Sequence, residues 1–215
     1  MDDKELRARV INELDFEPSV EAAHIGVTVE KGIVTLTGHV SSYAEKLAAE
    51  AAVRRVRGVR GLAEEIEVLF AEDKKTADDE IAKRALDIID WDATVPDRAV
   101  QVQVERGWVT LTGEVEWQYQ RKAAEEDVCR LTGVKGVSNR IIVRPAVPVL
   151  DVQRRIEEAL ARRADTEAKA IRVSVEAGKV VLEGTVQNLD ERQAVERAAW
   201  SAPGVQSVED RMTIS

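Results

Sequence analysis

Aromatic residues make up only 4% of this 215-residue chain, which also has a single cysteine and two histidines. With so few aromatics, any core must be assembled from Val, Ile, Leu and Ala, and the 44% hydrophobic fraction supplies them. The lone cysteine, Cys129, excludes a framework of intrachain disulfides. The longest apolar run, Ala146 to Leu150, is five residues and contains Pro148. A helix crossing a bilayer needs about 20, so no transmembrane segment is read. A basic surplus is missing too. Net charge is −9, with 9 basic against 14 acidic side chains over residues 1–72, 12 against 14 over 73–145, and 10 against 12 over 146–215. Phosphate-backbone binding draws on a positive excess that no segment has, which argues against nucleic acid as a partner. The N-terminus, Met-Asp-Asp-Lys-Glu-Leu-Arg-Ala-Arg-Val, starts acidic and lacks an apolar h-region, so no signal peptide is read there. A cytoplasmic location is expected if Met1 is the native start, and a periplasmic one otherwise.

What the chain does have is repetition. Gly32-Ile-Val-Thr-Leu-Thr-Gly38 recurs as Gly107-Trp-Val-Thr-Leu-Thr-Gly113 and as Gly178-Lys-Val-Val-Leu-Glu-Gly184. A third glycine follows each motif 20 positions on, at Gly58, Gly133 and Gly204, and each is followed by valine. Copies one and two are offset by 75 residues, and copies two and three by 71.

Aligning the copies lets each periodicity be read three times. Apolar residues four apart, Leu6-Val10-Leu14, Ile81-Ala85-Ile89 and Val152-Ile156-Leu160, predict a first helix with one buried face. Strict alternation at Ile25-Val27-Val29, Val100-Val102-Val104 and Ile171-Val173-Val175 predicts a half-buried strand. The glycine of each following turn supplies the positive φ of a tight hairpin, and a second strand points Val34 and Leu36, Val109 and Leu111, or Val180 and Leu182 inward. A second helix is expected from Ser42 or Asn188, with Glu45 or Glu191 completing a capping box. The middle copy has Trp117 and Gln120 there instead. This helix is expected to run to the glycine of the Gly-Val pair. A third strand covers Leu62–Val68, Val137–Val143 and Val208–Ile214. The predicted class is α+β: three tandem αββαβ modules at residues 1–70, 76–145 and 148–215, two helices packed on a three-stranded sheet in each. Of the two linkers, the charged stretch 70–77 is expected to be more flexible than the proline-bearing stretch 144–148.

Catalytic or metal constellations are hard to find. His24 and His39 have no Cys or carboxylate at ligand spacing and read as loop or surface residues. Cys129 has no base within its own module to activate it. The glycine motif is not followed by Gly-Lys-Ser/Thr and is no phosphate loop. Asp78-Asp79-Glu80 and Glu125-Glu126-Asp127 read as helix-start and solvent-facing charges. No enzyme activity, cofactor or metal is expected. More notable are two tryptophans out of pattern: Trp108 points outward from its strand, and Trp117 stands at a helix cap. With Arg106, Arg121 and Lys122 nearby, they form the candidate interaction surface, suited to a neighbouring module, an external protein or a lipid headgroup layer.

The Gly-x-Val-x-Leu-x-Gly-x-Val motif, the helix ending in x-Gly-Val and the final strand resemble the BON domain family, over essentially the whole chain. The residues that match the pattern are Gly32, Gly38, Gly58, Gly107, Gly113, Gly133, Gly178, Gly184 and Gly204, all in structural positions. The resemblance implies an αββαβ fold, bacterial origin, links to osmotic or envelope stress and an ability to bind phospholipid. It also implies one alternative, potassium-ion sensing; a protein-interaction scaffold without lipid binding is the other alternative. The expected function is that of a non-catalytic binding protein.

Overall fold

The computed structural model describes residues 2–70, 76–144, 152–161, 171–176 and 178–214. The linker stretches expected to differ in stiffness fall mostly outside them, as does the side chain of Leu160. In module 1, helix α1 (Asp3–Phe16) precedes the hairpin β1 (Ile25–Glu30) and β2 (Ile33–Val40), then helix α2 (Tyr43–Arg55) and strand β3 (Gly61–Val68). Module 2 repeats this as α3 (Asp78–Trp91), β4 (Val100–Glu105), β5 (Trp108–Val115), α4 (Gln118–Cys129), β6 (Gly136–Asn139) and β7 (Ile142–Val143). Module 3 gives α5 (Val152–Ala161), β8 (Ile171–Glu176), β9 (Lys179–Val186), α6 (Leu189–Trp200) and β10 (Ser207–Ile214). The α+β architecture of three αββαβ modules is as the repeat predicts.

In each sheet the second strand is central: it pairs antiparallel with the first and parallel with the third. A parallel pair needs a long crossover, and the second helix is that crossover. Its return brings the helix over one face of the sheet, and the residues predicted to point inward are the ones buried there. Val34, Leu36, Val109, Leu111, Val180 and Leu182 are all fully buried, joined by Leu6, Leu14, Ile81 and Ile156 from the first helices. Each such aliphatic side chain contributes about 1.5–3 kcal/mol of burial free energy.

All nine motif glycines have positive φ, from 79° at Gly32 to 149° at Gly184. Two kinds of position show why. At the hairpin tip Lys31 (φ 51°) and Gly32 (φ 79°) form a primed turn, as do Arg106 and Gly107. At Gly113 a Cβ would lie 2.0 Å from the carbonyl oxygen of Ala99, and at Gly38 2.1 Å from that of His24, so the paired strand leaves no room for a side chain.

The structure corrects three local expectations. The second helices end at Arg55, Cys129 and Trp200, three or four residues before the glycine, which instead closes a separate turn. The third strand of module 2 is interrupted between β6 and β7, although both pieces keep one register against β5 (Leu111 opposite Asn139, Glu114 opposite Ile142); between them the amide of Arg140 donates to Leu111 O (2.8 Å) and that of Ile141 to Asn139 Oδ1 (3.2 Å). Lastly, part of the acidic run on α4 is not solvent-facing. Glu125 and Asp127 are half-buried, and Glu125 accepts from Asn139 Nδ2 (3.1 Å). Burial, then the neighbouring Asp92 carboxylate, pushes Asp127 above the usual carboxylate range.

Candidate functional site

The candidate residues divide between two places at opposite ends of β5. Trp108 lies at its start, 57% exposed. A Cβ on Gly136 would lie 2.4 Å from the Trp108 ring. The indole therefore lies flat across the paired strand, and glycine is the residue that makes room for it. In module 1 the equivalent Ile33 stands 3.5 Å from the Cβ position of Gly61, so the larger ring is what sets module 2 apart. Trp108 shares a cleft of about 450 Å³ with Arg106, Lys135, Gln103, Glu105 and Thr110, on the sheet face away from the helices. Asp78 fixes the turn beneath it, accepting from the amides of Arg106 (2.6 Å) and Gly107 (2.9 Å).

Trp117 lies at the far end of the strand, half-buried and stacked on Tyr119 at 6.4 Å. Its indole cannot accept a capping hydrogen bond. Half of the capping arrangement survives: Gln120 Oε1 accepts from the amides of Glu116 (3.1 Å) and Trp117 (3.0 Å). Trp117, Gln118, Tyr119 and Lys122 line a cleft of about 300 Å³ together with Arg197, Trp200 and Ser201 of module 3. Gln118 Oε1 is buried without a hydrogen-bond partner. Lys122 pairs with Glu126 (2.9 Å) on the helix surface. Arg121 is turned to the third strand, donating to Asn139 O (3.1 Å), and belongs to neither cleft.

The Trp117 region is one of three related contacts that the sequence did not reveal. The first residue of each second helix is Tyr43, Gln118 or Leu189. Tyr43 packs on the core of module 2, Leu189 packs on the core of module 1, and Gln118 faces module 3, whose Trp200 also packs on the core of module 2. Each module thus touches the other two, and the contacts close into a ring. Burial pushes the Tyr43 hydroxyl up to about 12, and the Cys129 group across the contact adds to this. Cys129 is itself buried, its thiol pushed up to about 12 by burial and by Glu125 and Glu126. That is the opposite of an activated nucleophile.

Other features also escaped sequence reasoning. Phe16 and Trp91, equivalent positions at the ends of α1 and α3, are 82% and 89% exposed. The two histidines meet, with rings stacked at 4.7 Å, and His24 Nδ1 is 3.9 Å from Glu21. Among the described residues, no group of three or more His, Cys, Asp or Glu could hold a metal ion, and no helix is long and apolar enough to cross a membrane.

Comparison with known proteins follows the same division into modules. The BON domain matches residues 2–69, 77–145 and 149–215. Osmotically-inducible protein Y of Escherichia coli (strain K12) is 32% identical over 151 residues, covering 65% of this chain and 71% of that protein. Among solved structures, CdsD, a structural protein of the type III secretion system of Chlamydia trachomatis, aligns at 16% identity with a TM-score of 0.27, covering 98% of this chain and 92% of that one. The PrgH periplasmic domain aligns at 11% identity with a TM-score of 0.23, covering 89% and 95%. Three matched modules, the glycine framework and the shared αββαβ order establish that the chain belongs to the BON domain family.

Proposed function

We propose that this chain is a non-catalytic, stress-associated protein of the bacterial envelope. In this reading it attaches weakly to anionic phospholipid surfaces through the outer sheet face of module 2. The relation to an osmotically inducible protein supports the stress association and favours the envelope over the cytoplasm. The observation that carries the lipid reading is Trp108: an indole laid flat on an open sheet face, 57% exposed, with Arg106 and Lys135 beside it. Such a ring seats at the headgroup level while the cations meet anionic lipid. Trp117, facing module 3, has no part in it.

The test is flotation with phosphatidylglycerol and phosphatidylcholine vesicles, comparing the wild-type chain with Trp108→Ala. Flotation with the anionic vesicles only, weakened by salt and by the substitution, is expected. No flotation at low salt, or flotation indifferent to Trp108→Ala, would refute the lipid reading.

A second reading, as a protein-interaction scaffold, is favoured by Phe16 and Trp91. Both are almost bare and flanked by Asp15 and Glu17, or by Asp90 and Asp92. Glu17 pairs with Arg55 (3.0 Å) and Asp92 accepts from the amide of Thr94 (2.7 Å), so the bare rings are the feature this reading rests on. This reading expects no flotation at all, together with capture of basic partner proteins that Phe16→Ala/Trp91→Ala abolishes.

A further inference from the structure

Module 1 contains a second, differently built cleft of about 570 Å³, lined by Asp3, Leu6, Arg9, Lys31, Gly32, Arg57, Gly58 and Arg60. Its walls are the first turns of α1, the β1–β2 hairpin tip and the loop between α2 and β3. Backbone hydrogen bonds fix the frame. Asp3 accepts from the amides of Lys31 (2.8 Å) and Gly32 (3.1 Å), and the amide of Arg60 donates to Gly32 O (2.9 Å). The Arg60 stem lies over Gly32, with its Cδ 3.0 Å from where a Cβ would stand.

Four cations line this cleft against one carboxylate, in a chain whose net charge is −9. Asp3 is already engaged by two amides. Arg9 is held by Glu5 (2.7 Å), and Lys31 stands 3.9 Å from Glu30. Arg57 and Arg60 are exposed and form no ion pair among the described residues. Two free guanidinium forks beside an ammonium match the tetrahedral, multiply charged oxygens of a phosphate better than they match a single carboxylate. The volume admits more than a bare ion, within the range of small-molecule sites.

The repeat supplies an internal comparison. The positions of Arg9, Lys31, Arg57 and Arg60 carry Arg84, Arg106, Thr132 and Lys135 in module 2, and Arg155, Ala177, Pro203 and Gln206 in module 3. Module 2 builds the same backbone frame, Asp78 accepting from the amides of Arg106 and Gly107, with three cations at these positions, and module 3 has one cation there. The charge is an addition to module 1 and no requirement of the fold.

We propose that the module 1 cleft is a binding site for a phosphate group, either a soluble phosphate compound or a phospholipid headgroup, with Arg57 and Arg60 as its principal donors. The site is separate from the Trp108 surface and does not depend on it. The test substitutes residues that the sibling modules already carry, Lys31→Ala/Arg57→Thr/Arg60→Gln, with Arg57→Thr alone as a second, milder variant. Pyrophosphate is titrated calorimetrically into each at low salt, and phosphatidylglycerol flotation is run in parallel with Trp108→Ala. Wild type is expected to bind, and the triple variant to lose at least about tenfold in affinity, since each charge-assisted hydrogen bond lost is worth about that factor. Loss of pyrophosphate binding with flotation unchanged identifies a soluble ligand; loss of flotation identifies the headgroup. If wild type binds neither probe, or both variants bind as wild type does, the proposal is overturned. Failure of Trp108→Ala alone to affect flotation bears only on module 2.

Discussion

Truncating Tyr43 should damage a module to which Tyr43 does not belong. The residue opens α2 of module 1, yet it packs against the core clusters of both modules 1 and 2. A largely covered tyrosine removes roughly 150 Å² from water, worth about 4 kcal/mol at ~25 cal/mol per Å². If the ring divides evenly between the two cores, about 2 kcal/mol of that belongs to the contact between modules. Tyr43→Ala should therefore weaken docking of module 1 on module 2 by about 2 kcal/mol, and Tyr43→Phe, which keeps the ring, by far less.

The assay is amide hydrogen exchange, read by segment. Tyr43→Ala is expected to raise exchange in α4 and β6 of module 2 as well as in α2. Calorimetry should show the broader transition of units that no longer unfold together. Tyr43→Phe, which keeps the ring, should stay close to the wild-type pattern. Should Tyr43→Ala accelerate exchange in module 1 only, leaving α4 and β6 at wild-type protection, the ring of contacts does not couple the modules and the reasoning fails.

Alkaline pH tests the same contact. Both Tyr43 and Cys129 are acids whose folded pKa is raised, to about 12. Their contribution is thus complete below the unfolded values, about 10 and 9, and is lost as pH rises through the folded ones. Thermal stability should fall between pH 9 and 12 more steeply than in Tyr43→Phe/Cys129→Ala. For the same reason Cys129 should resist a thiol reagent such as Ellman's at neutral pH until the chain is unfolded; rapid labelling of the native protein would contradict its burial. Gln118→Leu places at the module 2–3 contact the residue that Leu189 provides in module 3. By removing a buried acceptor without a partner it should stabilise by about 1 kcal/mol, and a lower melting temperature would refute this. Gly113→Ala should cost upwards of about 2 kcal/mol, because φ is 136° and a Cβ meets a backbone oxygen at 2.0 Å; a denaturant midpoint within error of wild type would be the contrary result.

The fold was legible because the chain spells it three times in residues whose role is local. The Gly107-to-Gly113 spacing, the alternation of Val100, Val102 and Val104, and the four-residue spacing of Ile81, Ala85 and Ile89 each fix an element from neighbours in sequence. The interruption after Asn139 was not legible, and the side-chain contact beside it does not explain it, because Glu64 and Asp210 reach the amides of Ile66 and Met212 in the same way in strands that run unbroken. Of the candidate surface, Trp108 could be read as outward-facing because strand alternation assigns it a side. Trp117, Arg121 and Lys122 could not be placed, because one helix turn sends its side chains to three destinations: another module, the third strand and solvent.

The positions where the copies disagree carry a different kind of information. Tyr43, Gln118 and Leu189 occupy one repeat position, and Arg54, Cys129 and Trp200 another. Nothing inside a single module requires these residues to differ. Around the ring, however, each first-helix-turn residue meets a different neighbour: Tyr43 meets the core of module 2 near Cys129, Gln118 lies beside Trp200, and Leu189 packs on the core of module 1. A contact between unlike copies selects a matched pair of side chains and disfavours mismatched ones, so divergence at these positions fixes which module sits beside which. The cations of the module 1 cleft obey the same logic with a different outcome. Lys31, Arg57 and Arg60 depart from Ala177, Pro203 and Gln206 at positions that are exposed in module 1, and an exposed position that the repeat lets vary is where a ligand can be served.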